Sequence, residues 1–170
     1  MATDNTDLIY TMENTQTAIT WQCARLGELT PIQQYAIFAA RSEVFVLEQN
    51  CVFLDMDGLD LDADHVIGWA GDNVVAAYLR IVAPGIKFTE PSLGRVITTK
   101  DFRGGGAGKM LIAEGIRHLE RIYPGRAIRI GAQAYLEKFY GAFGFETLTE
   151  VYLEDDIPHI DMIRPALTAE

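Results

Sequence analysis

The chain is short of cysteine, of positive charge and of long apolar runs, and each shortage closes off a class of protein. Its 170 residues include two cysteines, Cys23 and Cys51, too far apart for a zinc-ligand spacing. A small secreted domain held by disulfides needs more of them, so free thiols are expected. Only 14 basic residues face 24 acidic ones, a formal net charge of -10. That balance argues against general binding to nucleic acid or to an anionic membrane, and it makes a cationic substrate easier to attract. No segment approaches membrane-spanning length, and the start, Met1-Ala2-Thr3-Asp4-Asn5, has neither a basic n-region nor an apolar run. A soluble, cytoplasmic protein is the expectation. Internal repeats and linker-like runs are absent between residues 17 and 165.

What is present suits one compact domain, since 49% hydrophobic content over this length supports a sizeable core. Residues 1–16 are polar and read as a flexible N-terminal extension to a single domain over residues 17–166. Ala18 to Cys23 has strand character. Thr30-Pro31 starts a helix through a capping hydroxyl and a proline in the first turn. That helix runs to about Gln49, although Val44-Phe45-Val46 also carries strand propensity. Val66–Ala70 and Val74–Val82 are apolar, β-branched runs joined by Gly71-Asp72-Asn73, a strong hairpin signal. Leu93–Thr98 forms the next strand. Leu111, Ile112, Gly115, Ile116, Leu119 and Ile122 recur at helical spacing, and Tyr123-Pro124-Gly125 ends that helix. Ala127–Ala132 is a buried-type strand, Tyr135–Phe143 a short helix, and Thr147–Tyr152 and His159–Ile163 two further strands. The order predicts an α/β or α+β fold with a mixed sheet.

Asp55 to Asp64 is crowded with aspartate. Asp60, Asp62 and Asp64 fit the first three positions of a calcium loop, but His65 stands where glycine is needed and Gly71 where glutamate is needed. A solvated acidic loop is the expected reading, and a guide for a cationic substrate the next.

Arg103-Gly104-Gly105-Gly106-Ala107-Gly108-Lys109 is the most informative stretch. A strand leads into it and a helix out of it, the arrangement in which backbone N–H groups and a helix N-terminus hold an anion. Arg95, Lys100, Arg103 and Lys109 supply nearby positive charge. A P-loop requires glycine where Arg103 stands and Ser or Thr where Met110 stands; a dinucleotide loop requires Gly or Ala at Leu111 and a later acidic residue. Both fail. A purely structural turn is the remaining competitor, and it leaves the entropic cost of so many small residues unexplained.

Arg/Gln-x-x-Gly-x-Gly/Ala does fit, and in this it resembles the acetyl-CoA signature of the GCN5-related N-acetyltransferases, the GNAT family. Phe139-Tyr140-Gly141-Ala142-Phe143-Gly144-Phe145 is similar to that family's later helix-then-strand motif. Val44–Gln49, Asp57-Gly58 with His65–Trp69, Gly94-Arg95-Val96, Gly131–Ala134 and Glu154–His159 resemble the ElaA-like branch; together these segments cover roughly residues 31 to 164.

The resemblance implies a mostly antiparallel sheet flanked by helices, with a splay between the fourth and fifth strands. It implies that Val96, Ile97 and Thr98 receive the pantetheine arm, with a free N–H near Val96 or Ile97 facing the thioester oxygen. The N–H groups from Arg103 through Gly104, Gly105, Gly106, Ala107 and Gly108 to Lys109 would take the pyrophosphate. Tyr140 would contact the cofactor and act as general acid to the departing thiolate, since a neutral phenol of pKa about 10 can donate to sulfur. Base candidates are Glu48, Glu150, His65 and His159, directly or through water. Gln133 stands where many relatives carry Asn against the cofactor arm. Cys51 shows no Cys-His-Asp arrangement that would suggest an acyl-enzyme. Trp21, Trp69 and Phe45 are expected as core or substrate-pocket walls. The implied activity is acetyl-CoA-dependent transfer to a primary amine of a small molecule or peptide, without a metal, in a ternary complex; a homodimer is compatible with it. A non-catalytic acyl-CoA-binding module of the same fold is the alternative.

Overall fold

The computed structural model describes residues 18–166, so the N-terminal extension expected over residues 1–16 lies outside the described residues. Eight strands form one sheet: β1 (Thr20–Arg25), β2 (Asp64–Trp69), β3 (Val75–Val82), β4 (Ser92–Thr98), β5 (Ile128–Gln133), β6 (Glu146–Thr147), β7 (Tyr152–Glu154) and β8 (Ile157–Arg164). Their order is β1-β2-β3-β4-β5-β8-β6, with β7 also on β8, and every pairing is antiparallel except β4–β5. Three helices accompany it: α1 (Pro31–Ser42), α2 (Ala107–Ile122) and α3 (Glu137–Gly141). None of the described helices is long and apolar enough to cross a membrane.

Period-two alternation gives the sheet two dissimilar faces. Ala77, Leu79 and Ile81 of β3 join Leu93, Ile128, Ile130, Ile160 and Met162 against Leu111, Ile112, Ile116 and Leu119 of α2. Gly115 permits this close approach, because a Cβ there would lie 2.7 Å from Leu79 Cδ2. On the opposite face Ile67, Trp69, Val75, Tyr78 and Ile97 pack against Ile37, Ala40 and Val44. α1 begins as expected, with Thr30 and Gln33 capping each other and Pro31 in the first turn. Its end departs from a plain helix: Glu43–Glu48 widens into a π-helical turn, which carries the β-branched Val44 and Val46 without becoming a strand. The β2–β3 hairpin forms at Gly71-Asp72-Asn73, with positive φ at Gly71 and Asn73. The strand expected over Thr147–Tyr152 is split into β6 and β7, and between them Thr149 Oγ1 accepts from the Asp161 N–H at 3.0 Å in place of a regular ladder. Asp155 and Asp156 then make the β7–β8 turn, both with positive φ.

The aspartate-rich segment is not the solvated loop the sequence suggests. Asp55 and Asp60 are buried beneath α1 and flank Arg41, which is itself fully buried. Arg41 donates to Asp55 Oδ2 at 2.8 Å and Asp60 Oδ1 at 2.6 Å. Arg80 grips Asp57 through two bonds of 2.7 and 2.8 Å, and Arg95 reaches Asp55 at 2.7 Å and Asp57 at 3.2 Å. Those carboxylates are spent on arginines from three separate elements, which also removes them as a guide for a cationic substrate.

Two irregularities shape the edge of β4. Between Gly94 and Ile97 the strand carries one residue more than β3 opposite, a bulge centred on Arg95 at φ 54°. Its arginine is held there by Asp55 and Asp57. Further, β4 pairs with β5 only at Ser92–Arg129; beyond that point the parallel strands share no ladder. This is the splay between the fourth and fifth strands.

Candidate active site

The glycine turn closes directly onto α2. Gly104 and Gly106 take φ of 79° and 89°, a region that favours glycine, and Gly106 caps the helix without any side chain bonding the first-turn amides. The N–H groups of Ala107, Gly108 and Lys109 have no carbonyl four residues back to accept them. Gly104, Gly105 and Gly106 are exposed, whereas Ala107 is buried and roots the turn in the core. Gly108 lets the helix approach β4, since a Cβ would lie 3.3 Å from Thr98 Oγ1. From this turn a cavity of about 750 Å³ runs between α2 and α3, walled by Met110, Ala113, Phe139 and Phe143 and flanked by Lys109 and Lys138. Lys138 carries no motif signal in the sequence; only the helix pairing places it there.

Strand alternation decides which amides of β4 face the gap. Thr99 N–H donates to Ala76 O at 3.0 Å and Ile97 pairs with Tyr78, so Ile97 turns its amide toward β3. Val96 and Thr98 therefore present theirs to the open side. Of the two amides expected there, Val96 is the one so directed. Arg103 also works at this edge: its Nε donates to Thr98 O at 2.8 Å and its Nη2 pairs with Glu48 at 2.6 Å. Arg95, expected beside the glycine loop, is instead on the far face, paired to Asp55 and Asp57 and lying 5.2 Å over the Phe53 ring.

Tyr140 has a buried ring, set edge-on against Phe139 and Phe145. Its hydroxyl makes no hydrogen bond among the described residues, and burial pushes the phenol well above its ordinary range. The base candidates separate sharply. His65 is fully buried, its Nε2–H donating to Asp60 O at 3.0 Å and its Nδ1 accepting from Tyr78 at 2.7 Å. With both nitrogens committed and its basicity lowered by burial, it is a structural residue and not a base. Glu48 sits at the gap, ion-paired to Arg103. Glu150 is exposed on the segment between β6 and β7, across β8 from the gap. His159 pairs with Gln133 at the end of β5 and stacks on Tyr152. Its Nδ1–H donates to Ile157 O at 2.8 Å, so the neutral ring holds its lone pair on Nε2. Gln133 donates to Gln49 at 3.2 Å, linking β5 to the residue after the π-helical turn.

Two further clusters have no signature along the chain, because their members come from distant segments. Arg129, Tyr152 and Asp161 meet on β5, β7 and β8, with bonds of 2.6 and 2.7 Å to the carboxylate. At the other edge of the sheet Cys23 Sγ lies 3.3 Å from His118 Nε2, with Asp64 beyond. Burial, then Asp64, pushes that thiol up to about 11, which leaves it protonated and a poor nucleophile. Cys51 is buried and also raised, first by burial and then by Asp155. Trp69 and Phe45 belong to the α1-side core and Trp21 packs on the α2-side core.

Comparison with known proteins bears on this arrangement. An acetyltransferase (GNAT) domain matches residues 62–164. Protein ElaA of Escherichia coli is 41% identical over 153 residues, covering 89% of this chain and 99% of that protein. The crystal structure of E. coli ElaA superposes with a TM-score of 0.81 at 40% identity, covering 86% of this chain and 99% of that one. An acyl-CoA N-acyltransferase from Pseudomonas aeruginosa superposes with a TM-score of 0.82, also at 40% identity and with the same coverage of both chains.

Proposed function

The chain belongs to the GNAT acetyltransferase family, and from that premise we propose that it is an acetyl-CoA-dependent N-acetyltransferase acting on a primary amine by direct transfer. One observation carries the proposal: a glycine turn with unspent helix N-terminal amides opens onto a lysine-flanked apolar groove, beside a gap where two strands part. The fit to the cosubstrate is good at each part. The amides from Gly104 to Lys109 suit a pyrophosphate, with Lys109 and Lys138 adding charge. The groove adds apolar surface beside the pyrophosphate site, and the amides of Val96 and Thr98 suit the pantetheine arm laid extended beside β4.

Acetyl-CoA supplies an activated thioester. The protein's own groups then answer three demands. The Val96 N–H is a donor placed where negative charge develops on the thioester oxygen. Tyr140, kept neutral by its apolar surroundings, donates its proton to the departing sulfur. The proton lost by the amine goes to a base, and His159 is the candidate whose Nε2 keeps a free lone pair for it, directly or through water. A C–N bond forms, the C–S bond breaks, and the proton delivered to His159 balances the one given up by Tyr140.

The test is CoA release measured against a panel of primary amines of small molecules and peptides. Turnover dependent on the amine supports the assignment. Acetyl-CoA binding without turnover of any amine would instead favour a non-catalytic acyl-CoA-binding module.

A further inference from the structure

A row of residues crosses the middle of the sheet on the α1 side. Arg80 pairs with Gly94, and Gly131 pairs with Asp161. The Ser92–Arg129 register, two residues back on each strand, sets Gly94 opposite Gly131 across the opening gap. Adjacent strands thus both place glycine at the centre of one row. A side chain built on Gly94 would meet nothing within 4 Å.

Three polar tips converge over Gly131. A Cβ there would lie 3.4 Å from the Tyr152 hydroxyl, 3.6 Å from Asp161 Oδ1 and 3.7 Å from Lys87 Nζ. Two of them are already satisfied by each other: Tyr152 donates to Asp161 Oδ1, and Arg129 neutralises the same carboxylate through Oδ2. Lys87 is different. Its ammonium lies 5.3 Å from the Phe88 ring centroid and makes no hydrogen bond or ion pair among the described residues. Within a chain of net charge -10, this is an uncompensated positive charge aimed at a glycine-floored trough. Val96, whose amide faces the gap, lies two residues beyond Gly94, just past the bulge at Arg95.

We propose that this trough is the acceptor subsite and that Lys87 recognises a carboxylate on the acceptor, making amino acids and other amino-carboxylates the substrate class. The proposal rests on the N-acetyltransferase assignment of the neighbouring gap. An overall acidic protein repels such acceptors, so a local cation is what admits them.

The experiment compares kcat/KM for amino acids against the matching carboxamides, in the wild type and in Lys87→Gln and Lys87→Glu. A charge-assisted hydrogen bond predicts a wild-type preference for the acid of roughly tenfold or more. Lys87→Gln brings the ratio near unity and Lys87→Glu inverts it. Equal use of acids and amides by the wild type, or an unchanged ratio in both variants, overturns the proposal. If other primary amines are acetylated but neither amino acids nor their carboxamides are, the proposal falls and the N-acetyltransferase assignment stands; if no amine at all is acetylated, the assignment falls. The subsite is then judged by calorimetry with N-acetylglycine and N-acetylglycinamide on the CoA-loaded protein. Tighter binding of the acid, lost in Lys87→Gln, sustains it; equal binding of the two overturns it.

Discussion

Two clusters built from the same four residue types lie on one face of the sheet, on either side of the β4–β5 gap. Arg41, Asp60, Tyr78 and His65 make one; Arg129, Asp161, Tyr152 and His159 make the other. In the first, α1 closes over the top, arginine and tyrosine are fully buried, and each histidine nitrogen has a partner. In the second no helix among the described residues covers the site; the Arg129 side chain keeps 27% of its exposure and His159 Nε2 keeps a free lone pair. Residue identity is therefore a poor guide to role. Exposure and unspent hydrogen-bonding capacity separate the sealed cluster from the open one.

The contrast is open to breakage, most severely at Arg41. Replacing it by methionine leaves buried Asp55 with Arg95 alone and buried Asp60 with Arg80 alone, and should cost about 3 kcal/mol in urea denaturation, the lower end for a broken buried pair. The same change at Arg129 should cost less, about 1–2 kcal/mol, because buried Asp161 keeps the Tyr152 hydroxyl and water can enter where the 27%-exposed Arg129 stood. Equal losses would erase the distinction between the clusters. Next in size is Tyr140→Phe, which should lower kcat by about 100-fold with acetyl-CoA affinity nearly unchanged. Tyr78→Phe should reverse that pattern, losing stability through the orphaned His65 nitrogen while turnover of the folded fraction persists. An unaltered rate in Tyr140→Phe removes the phenol as the required acid. A smaller effect is expected at Gly106, held at φ 89°. Valine there should weaken acetyl-CoA binding about tenfold in calorimetry, through a left-handed backbone cost of about 1–2 kcal/mol. The smallest lies in acid. Burial alone would raise Asp57, but the bonds and charge of Arg80, the Leu59 N–H and Arg95 bring it down to about 2. A depressed carboxylate contributes stability that is fully present above its unfolded pKa of about 3.9 and is lost as pH falls toward 2. Asp57→Asn should flatten that part of the stability profile, and an identical acid limb in the variant would show that Asp57 is not its source.

Much of this was legible in the residues. The capped start of α1, the hairpin at Gly71–Asn73, the apolar periodicity of α2 and the glycine turn are all local, and local chemistry determines them. What escaped is non-local. Asp55 and Asp60 look like surface residues until Arg41, Arg80 and Arg95 arrive from α1, β3 and β4. His65 looks like a titratable base until Tyr78 and Asp60 claim both nitrogens. Gly94 and Gly131 say nothing apart, and only the β4–β5 register makes them neighbours. The bulge at Arg95 likewise has no signal in a strand whose left-handed residue is not glycine; side-chain anchors, not backbone preference, hold it.

The single pairing at Ser92–Arg129 has a mechanical consequence. It leaves the sheet as two leaves, β1–β4 and β5 with β6–β8, laced together along one seam by the side chains of α2. Within either leaf, separation breaks a full ladder of backbone bonds. Between the leaves it breaks that pairing, a few side-chain contacts such as Gln133–Gln49 and Arg126–Thr89, and apolar contacts, which slide before they rupture. Hydrogen exchange should therefore divide along this seam, with the facing edges of β4 and β5 trading protons fastest and each leaf's interior slowest.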